Sequence, residues 1–182
     1  MTFNSARKEK LRVLIRRCAP LLSAAAGFIA GALYCGFFHG ENCVISPPDL
    51  CSAFESRQPF TELTRLISGE LKYAFLIYLL GFCSFGAIAC DAVIFLRASL
   101  CGFAAVYLLS TAHVSVPLYF MHATFNLLVI GAFCGAGFLC SAQATSGRGD
   151  TRDLISYTVK CLFFTGLIFL SVIARHLLML IF

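Results

Sequence analysis

Charge is scarce in this 182-residue chain. Only 13% of its residues are charged, 14 of them Lys or Arg and 9 Asp or Glu, against 59% hydrophobic residues and a mean hydropathy of +0.86. A soluble domain of this size has too little interior to hide that much apolar surface, so lipid must solvate it. Alternating strands of roughly 10 residues, the signature of a membrane β-barrel, are missing. So are a G-x-S-x-G, an H-E-x-x-H and a phosphate loop. No cysteine spacing matches a zinc or redox motif, and no internal repeat is visible. The net charge of +5 does not point to nucleic acid, because the basic residues gather at the ends of apolar runs, where they orient membrane helices. What remains is an all-α, polytopic integral membrane protein with no complete catalytic motif.

What is present is a series of apolar runs near the length of one bilayer crossing, about 20 residues. Residues 1–17 form a basic tail, with Arg7, Lys8, Lys10, Arg12, Arg16 and Arg17 against Glu9 alone. The positive-inside rule places that tail in the cytoplasm. The first span is expected over 18–38. It passes the small Ala24, Ala25 and Ala26 without a polar break, which reads as an uncleaved span and not a signal peptide. Gly27 and Gly31 form a G-x-x-x-G pair within it. Small residues four apart let helix backbones approach closely, although glycine is also generally frequent in membrane helices.

Residues 39–72 are the one sizeable polar segment and are expected outside. Pro47 and Pro48 behind Ser46 suit a helix start. After Pro59, Leu63, Leu66, Ile67 and Leu71 recur as an amphipathic stripe, which predicts exterior helices lying on the outer leaflet. Cys43 and Cys51 lie in this segment and form a candidate disulfide if it faces an oxidising exterior. The other eight cysteines sit in apolar runs and read as small buried hydrophobes.

The run 73–109 is broken only by Asp91 and Arg97. As one helix it would be about 55 Å long, well beyond a crossing of about 30 Å. It therefore predicts a tight helical hairpin of spans two and three, 73–89 and 93–109. Asp91 and Arg97 would be turn or interface charges on the cytoplasmic side. A short link leads to span four, 118–140, and a polar loop at 141–156 with Arg148 and Arg152 reads as cytoplasmic. Span five begins near Tyr157 and reaches Arg175 and His176 at outer headgroup level. The sum is about five transmembrane helices in a single membrane domain, 1–182, amino terminus in and carboxyl terminus out.

His122 and Asn126 stand one turn apart on one face of span four. H-x-x-x-N resembles one motif of the CAAX-type intramembrane proteases. Those need paired glutamates and a further histidine motif, and this chain has no Glu-Glu pair. An interhelical hydrogen bond is the plainer reading. No cofactor and no metal is expected.

Residues 71–86 read LKYAFLIYLLGFCSFG, closing in Gly81 and Gly86. Residues 95–102 read FLRASLCG, with a basic step at Arg97 and a final Gly102. The two segments resemble the stage II sporulation protein M family, whose second span closes in G-x-x-x-x-G and whose next helix ends in a basic or polar step and a glycine. Met121-His122-Ala123 and Asn126 stand where wider members carry Pro-His-Gly and a Glu, so the His is kept while its neighbours are replaced. Ala87-Ile88 replaces the usual proline after the second glycine. The layout matches over most of the chain. This resemblance implies a non-catalytic scaffold in a bacterial cell membrane. It would anchor peptidoglycan-degrading partners, the stage II sporulation proteins D and P, at the septal membrane during forespore engulfment. Its partners would be the lipid bilayer and those hydrolases, with self-association open and no nucleic acid. The alternative is a small permease or transporter subunit, with Asp91, His122 and Asn126 inside or near the membrane lining a path. A cavity shared by His122 and Asn126 would favour transport, and dry packing around them a scaffold.

Overall fold

The computed structural model describes residues 3–38, 59–110, 116–146 and 151–181, with side chains described at 18–37, 61, 63–110, 116–117, 119–144 and 153–178. Among the described residues the elements are all α-helices: α1 Phe3–Phe38, α2 Pro59–Leu80, α3 Gly86–Ser110, α4 Val116–Ser146 and α5 Thr151–Ile181. Four stretches of the described residues are long and apolar enough to cross a membrane: Cys18–Phe37, Gly86–Ser110, Tyr119–Ala144 and Asp153–Leu178. The protein is thus a multi-pass helical membrane protein, in which helices satisfy every backbone polar group internally and lipid solvates the outward side chains. Leu22, Phe75, Ile88, Leu127 and Leu170, each more than half exposed, are such outward positions. Helix α2 is not among the four because Glu62, Arg65, Glu70 and Lys72 interrupt its apolar character.

Helices α1 and α3 run parallel and touch through their backbones. Gly27 stands against the backbone of Phe95 and Gly31 against that of Ser99, a constant register one turn apart. From the other side Gly102 stands against the carbonyl of Phe28. A side chain at any of the three would collide with main-chain atoms, which is the close approach that small residues four apart permit. Tyr34 and Phe103 extend the seam, with ring centroids 6.1 Å apart.

Helices α2 and α3 run antiparallel, joined through residues 81–85. The end of α2 tightens through N–H donors of Gly81, Phe82 and Cys83 to the carbonyls of Tyr78, Leu79 and Leu80, at 3.2, 3.1 and 3.0 Å. These are i→i+3 bonds of the 3₁₀ type. Gly86 opens α3 against the Leu80 carbonyl, an approach a Cβ would block. The sequence reading put this reversal between spans 73–89 and 93–109; the structure puts it at 81–85. The expected second span is therefore divided, its first half closing α2 and its second half opening α3. Hydropathy hides the reversal, because Phe82, Cys83 and Phe85 are as apolar as the helices beside them; the glycines mark it.

Helix α4 lies antiparallel to α3, with Gly137 against Ile94 and Cys90 and the Cys140 thiol 3.8 Å from the Gly86 carbonyl. Helix α5 lies antiparallel to α4, with Gly135 beneath the Phe164 ring. Near the turn, the Tyr157 hydroxyl donates to the Tyr78 carbonyl at 2.9 Å and the two rings stack at 5.6 Å. The core between the helices contains Ala74, Ile77, Ile94, Ala98, Val129, Phe133, Ile168 and Val172.

Several expected boundaries move. Residues 3–17, read as a tail, belong to α1, and 141–146 and 151–156 of the expected 141–156 loop are helical. Cys43 and Cys51 lie outside the described residues, as does the 39–58 part of the polar segment. From Pro59 onward that segment is not a separate surface helix. Leu63, Leu66 and Ile67 of its stripe pack against the core, Leu71 faces out, and the helix runs on unbroken into the bundle.

Candidate functional site

The buried face of α2 passes through Ile67, Glu70, Ala74 and Ile77, at spacings of three and four. Glu70 is therefore held inside the bundle, 7% exposed. A carboxylate in that place needs a partner of opposite charge, and α3 supplies one. Arg97 Nε donates to Glu70 Oε2 at 2.8 Å, and Arg97 Nη2 donates to Glu70 Oε1. This is the two-pronged geometry that matches guanidinium to carboxylate. Arg97 Nη1 donates to Cys101 Sγ at 2.7 Å, one turn on. Arg97 stands eleven residues beyond Gly86, about 16 Å along α3. It is an interior ion-pair residue and not a charge at the turn. Asp91, half-buried in the second turn of α3, is the charge that does lie near the reversal.

A second polar contact joins α4 to α5. Arg175 Nη1 donates to Asn126 Oδ1 at 3.1 Å, and both residues are buried. Arg175, expected at headgroup level, lies inside the bundle, 5% exposed, within the apolar span Asp153–Leu178. Its Nε has no partner among the described residues. One turn before Asn126, His122 is also buried, and neither of its ring nitrogens has a partner among the described residues. His176 is buried beside Arg175.

Asn126, Arg97 and Arg175 meet at a cavity of about 390 Å³ to which all five helices contribute. Gly31 comes from α1, Gly69 and Glu70 from α2, Cys101 from α3. The remaining wall is largely apolar, with Leu66, Phe103 and Ala104. Helices α1 and α2 make at most slight contact with each other among the described residues. Two wall residues, Tyr34 and Leu100, are 42% and 49% exposed, so the cavity opens onto the lipid-facing surface. His122 is not on the wall, and Asp91 is elsewhere. Gly27, Gly31 and Gly102 build the α1–α3 seam; Gly81 and Gly86 build the turn.

Among the described residues, Arg97 and Arg175 face this cavity with the carboxylate of Glu70, which is engaged by Arg97. Such a set holds negative charge. Among the described residues no cluster of His, Cys, Asp and Glu is placed to hold a metal ion. Sequence reasoning missed the Glu70–Arg97 pair because Glu70 was grouped with the exterior acids. The available signal was its spacing, since it continues the Leu63, Ile67 stripe toward Ala74. No protein-family model, curated protein or solved structure matches the chain.

Proposed function

We propose that the protein is a non-catalytic membrane scaffold of the stage II sporulation protein M kind, holding peptidoglycan-degrading partners at the septal membrane during engulfment. One observation carries the reading. The residues through which the chain resembles that family occupy closely packed places in the bundle. Gly81 lies beneath the Tyr157 hydroxyl, Gly86 on the Leu80 carbonyl and Gly102 on the Phe28 carbonyl, while Arg97 holds the buried carboxylate. Those roles build a rigid frame, and none offers a group that attacks a substrate.

In this reading α2 is a fifth crossing, its Glu70 neutralised by Arg97, and α2 with α3 is the tight hairpin. The basic amino-terminal residues lie in the cytoplasm of a bacterial cell and the carboxyl terminus outside. The polar segment before α2 and the outer ends of the helices then face the hydrolases. Affinity purification from native membranes with mass spectrometry tests the proposal. Membrane-anchored cell-wall hydrolases are the expected companions; an ATPase or other transporter subunits in their place reject it.

A second reading, a small permease or transporter subunit, draws on the cavity that Asn126 shares with Arg97 and Arg175. Anion uptake into proteoliposomes that depends on Arg175 is its test.

A further inference from the structure

We propose that the cavity opening between α1 and α2 binds the headgroup of an anionic phospholipid, with Arg175 as the cation that grips its phosphate. This goes beyond the scaffold reading and stands or falls separately from it.

The argument from charge begins with Glu70. Arg97 takes both of its oxygens, so the one carboxylate that the described residues place on the cavity wall is committed. Arg175 is left with the neutral amide oxygen of Asn126. The edge of a guanidinium that carries Nε is the edge through which Arg97 holds Glu70. On Arg175 the Nε of that edge has no partner among the described residues. A buried guanidinium not paired directly with an anion is costly in a low-dielectric interior, and a phosphate is an anion whose oxygens match a guanidinium.

Shape and depth point to a lipid as the bearer of the phosphate. The volume, about 390 Å³, falls in the usual range for small-ligand sites, about 300–1,000 Å³. The cationic side chains share the wall with Leu66, Leu100 and Phe103, which suits a charged head continued by methylenes. Arg175 lies within the apolar span Asp153–Leu178 of α5, where lipid and not bulk water borders the bundle. The opening beside Tyr34 and Leu100 faces lipid, so a phospholipid reaches the site sideways without crossing water.

The test uses the purified full-length protein, delipidated and then titrated with phosphatidylglycerol or phosphatidylcholine. Native mass spectrometry reads the bound lipid, and thermal melting reads its effect. The wild type is expected to retain phosphatidylglycerol in preference to phosphatidylcholine and to melt higher with it. Arg175→Gln is expected to weaken phosphatidylglycerol about 10- to 100-fold, the loss typical of a charge-assisted hydrogen bond. Gly69→Leu tests the site without touching the arginine. Gly69 is on the wall, and open space lies where its side chain would go. The leucine is expected to fill the cavity and abolish the lipid preference while the protein melts no lower in phosphatidylcholine. If Arg175→Gln does not fold, Gly69→Leu decides the matter alone.

Equal retention of the two lipids by the wild type overturns the proposal. So does a phosphatidylglycerol preference that survives Gly69→Leu. Stabilisation by inorganic phosphate as large as that by phosphatidylglycerol overturns it in favour of a free anion. A preference that emerges only when Glu41, Asp49 and Glu55 are neutralised overturns it in favour of a carboxylate from the chain's own 39–58 segment.

Discussion

Glu70 of α2 and Arg97 of α3 form an ion pair inside the helical bundle, with Arg97 Nε 2.8 Å from Glu70 Oε2 and both side chains about one-tenth exposed. The pair ties together the one helix too polar to count as a span and a helix that is almost wholly apolar. Removing one partner strands the other. Glu70→Ala or Arg97→Ala is therefore expected to cost about 3–5 kcal/mol of stability. The double variant is expected to lose less than the sum, because it strands nothing. A double-mutant cycle on reversible unfolding in bicelles measures the coupling; simple additivity would show that the two side chains do not depend on each other.

Gly31 and Gly166 are both glycines within apolar helices, yet their surroundings are opposite. A Cβ on Gly31 would meet the Ser99 main chain, and nothing lies within 4 Å of the place a Cβ would take on Gly131 or Gly166. Gly31→Ala is expected to force α1 away from α3 at a cost of about 1–3 kcal/mol, the usual range for overpacking. Gly131→Ala and Gly166→Ala are expected to be neutral or to stabilise by up to about 1 kcal/mol, since alanine restricts the unfolded chain and favours helix. Thermal melts of the three variants in one detergent separate the two kinds of glycine.

The contrast also shows how far the sequence reached. The G-x-x-x-G spacing of Gly27 and Gly31 marked a face of α1, but nothing in the spacing named α3 as the surface it meets. Apolar run length told that the chain crosses lipid repeatedly, because hydropathy is the quantity lipid selects. It misplaced the reversal by roughly two helical turns, because in lipid a turn can be built from Phe82, Cys83 and Phe85 without polar residues. Glu70 and Arg97 were read apart, one as exterior and one as a turn charge. Pairing is a property of the tertiary arrangement, and two charges that neutralise each other inside the bundle look locally like two interruptions. Of the hydrogen bonding expected on the His122 and Asn126 face, the structure has that of Asn126 to Arg175, 49 residues away with no local trace in the sequence, while the ring nitrogens of His122 have no partner among the described residues.

Cysteine positions offer a check on topology. Cys83 lies in the 81–85 turn and is partly exposed, whereas Cys35 and Cys140 are fully buried. In single-cysteine variants, a water-soluble maleimide is expected to label Cys83 from one side of the membrane only. Cys35 and Cys140 are expected to resist until the protein is unfolded. Under the proposed orientation the reactive side is the cytoplasmic one, so labelling of Cys83 in intact cells by an impermeant reagent would reverse it.

Gly81 and Tyr157 make the turn and the start of α5 interdependent. The Tyr157 hydroxyl donates to the Tyr78 carbonyl at 2.9 Å, and the ring occupies the space a Cβ on Gly81 would need. Tyr157→Phe keeps the stacking on Tyr78 and removes the hydrogen bond, for an expected loss of about 0.5–1.5 kcal/mol. Tyr157→Ala also removes the ring and leaves a cavity, for an expected loss of about 3–5 kcal/mol. Gly81→Ala pushes against the ring and is expected to destabilise alone. In combination with Tyr157→Ala its cost is expected to vanish, because the vacated space admits the methyl group. Melting temperatures of the two single variants and the double variant decide this. If Gly81→Ala costs as much without the ring as with it, the glycine is required by the backbone of the turn and not by the tyrosine.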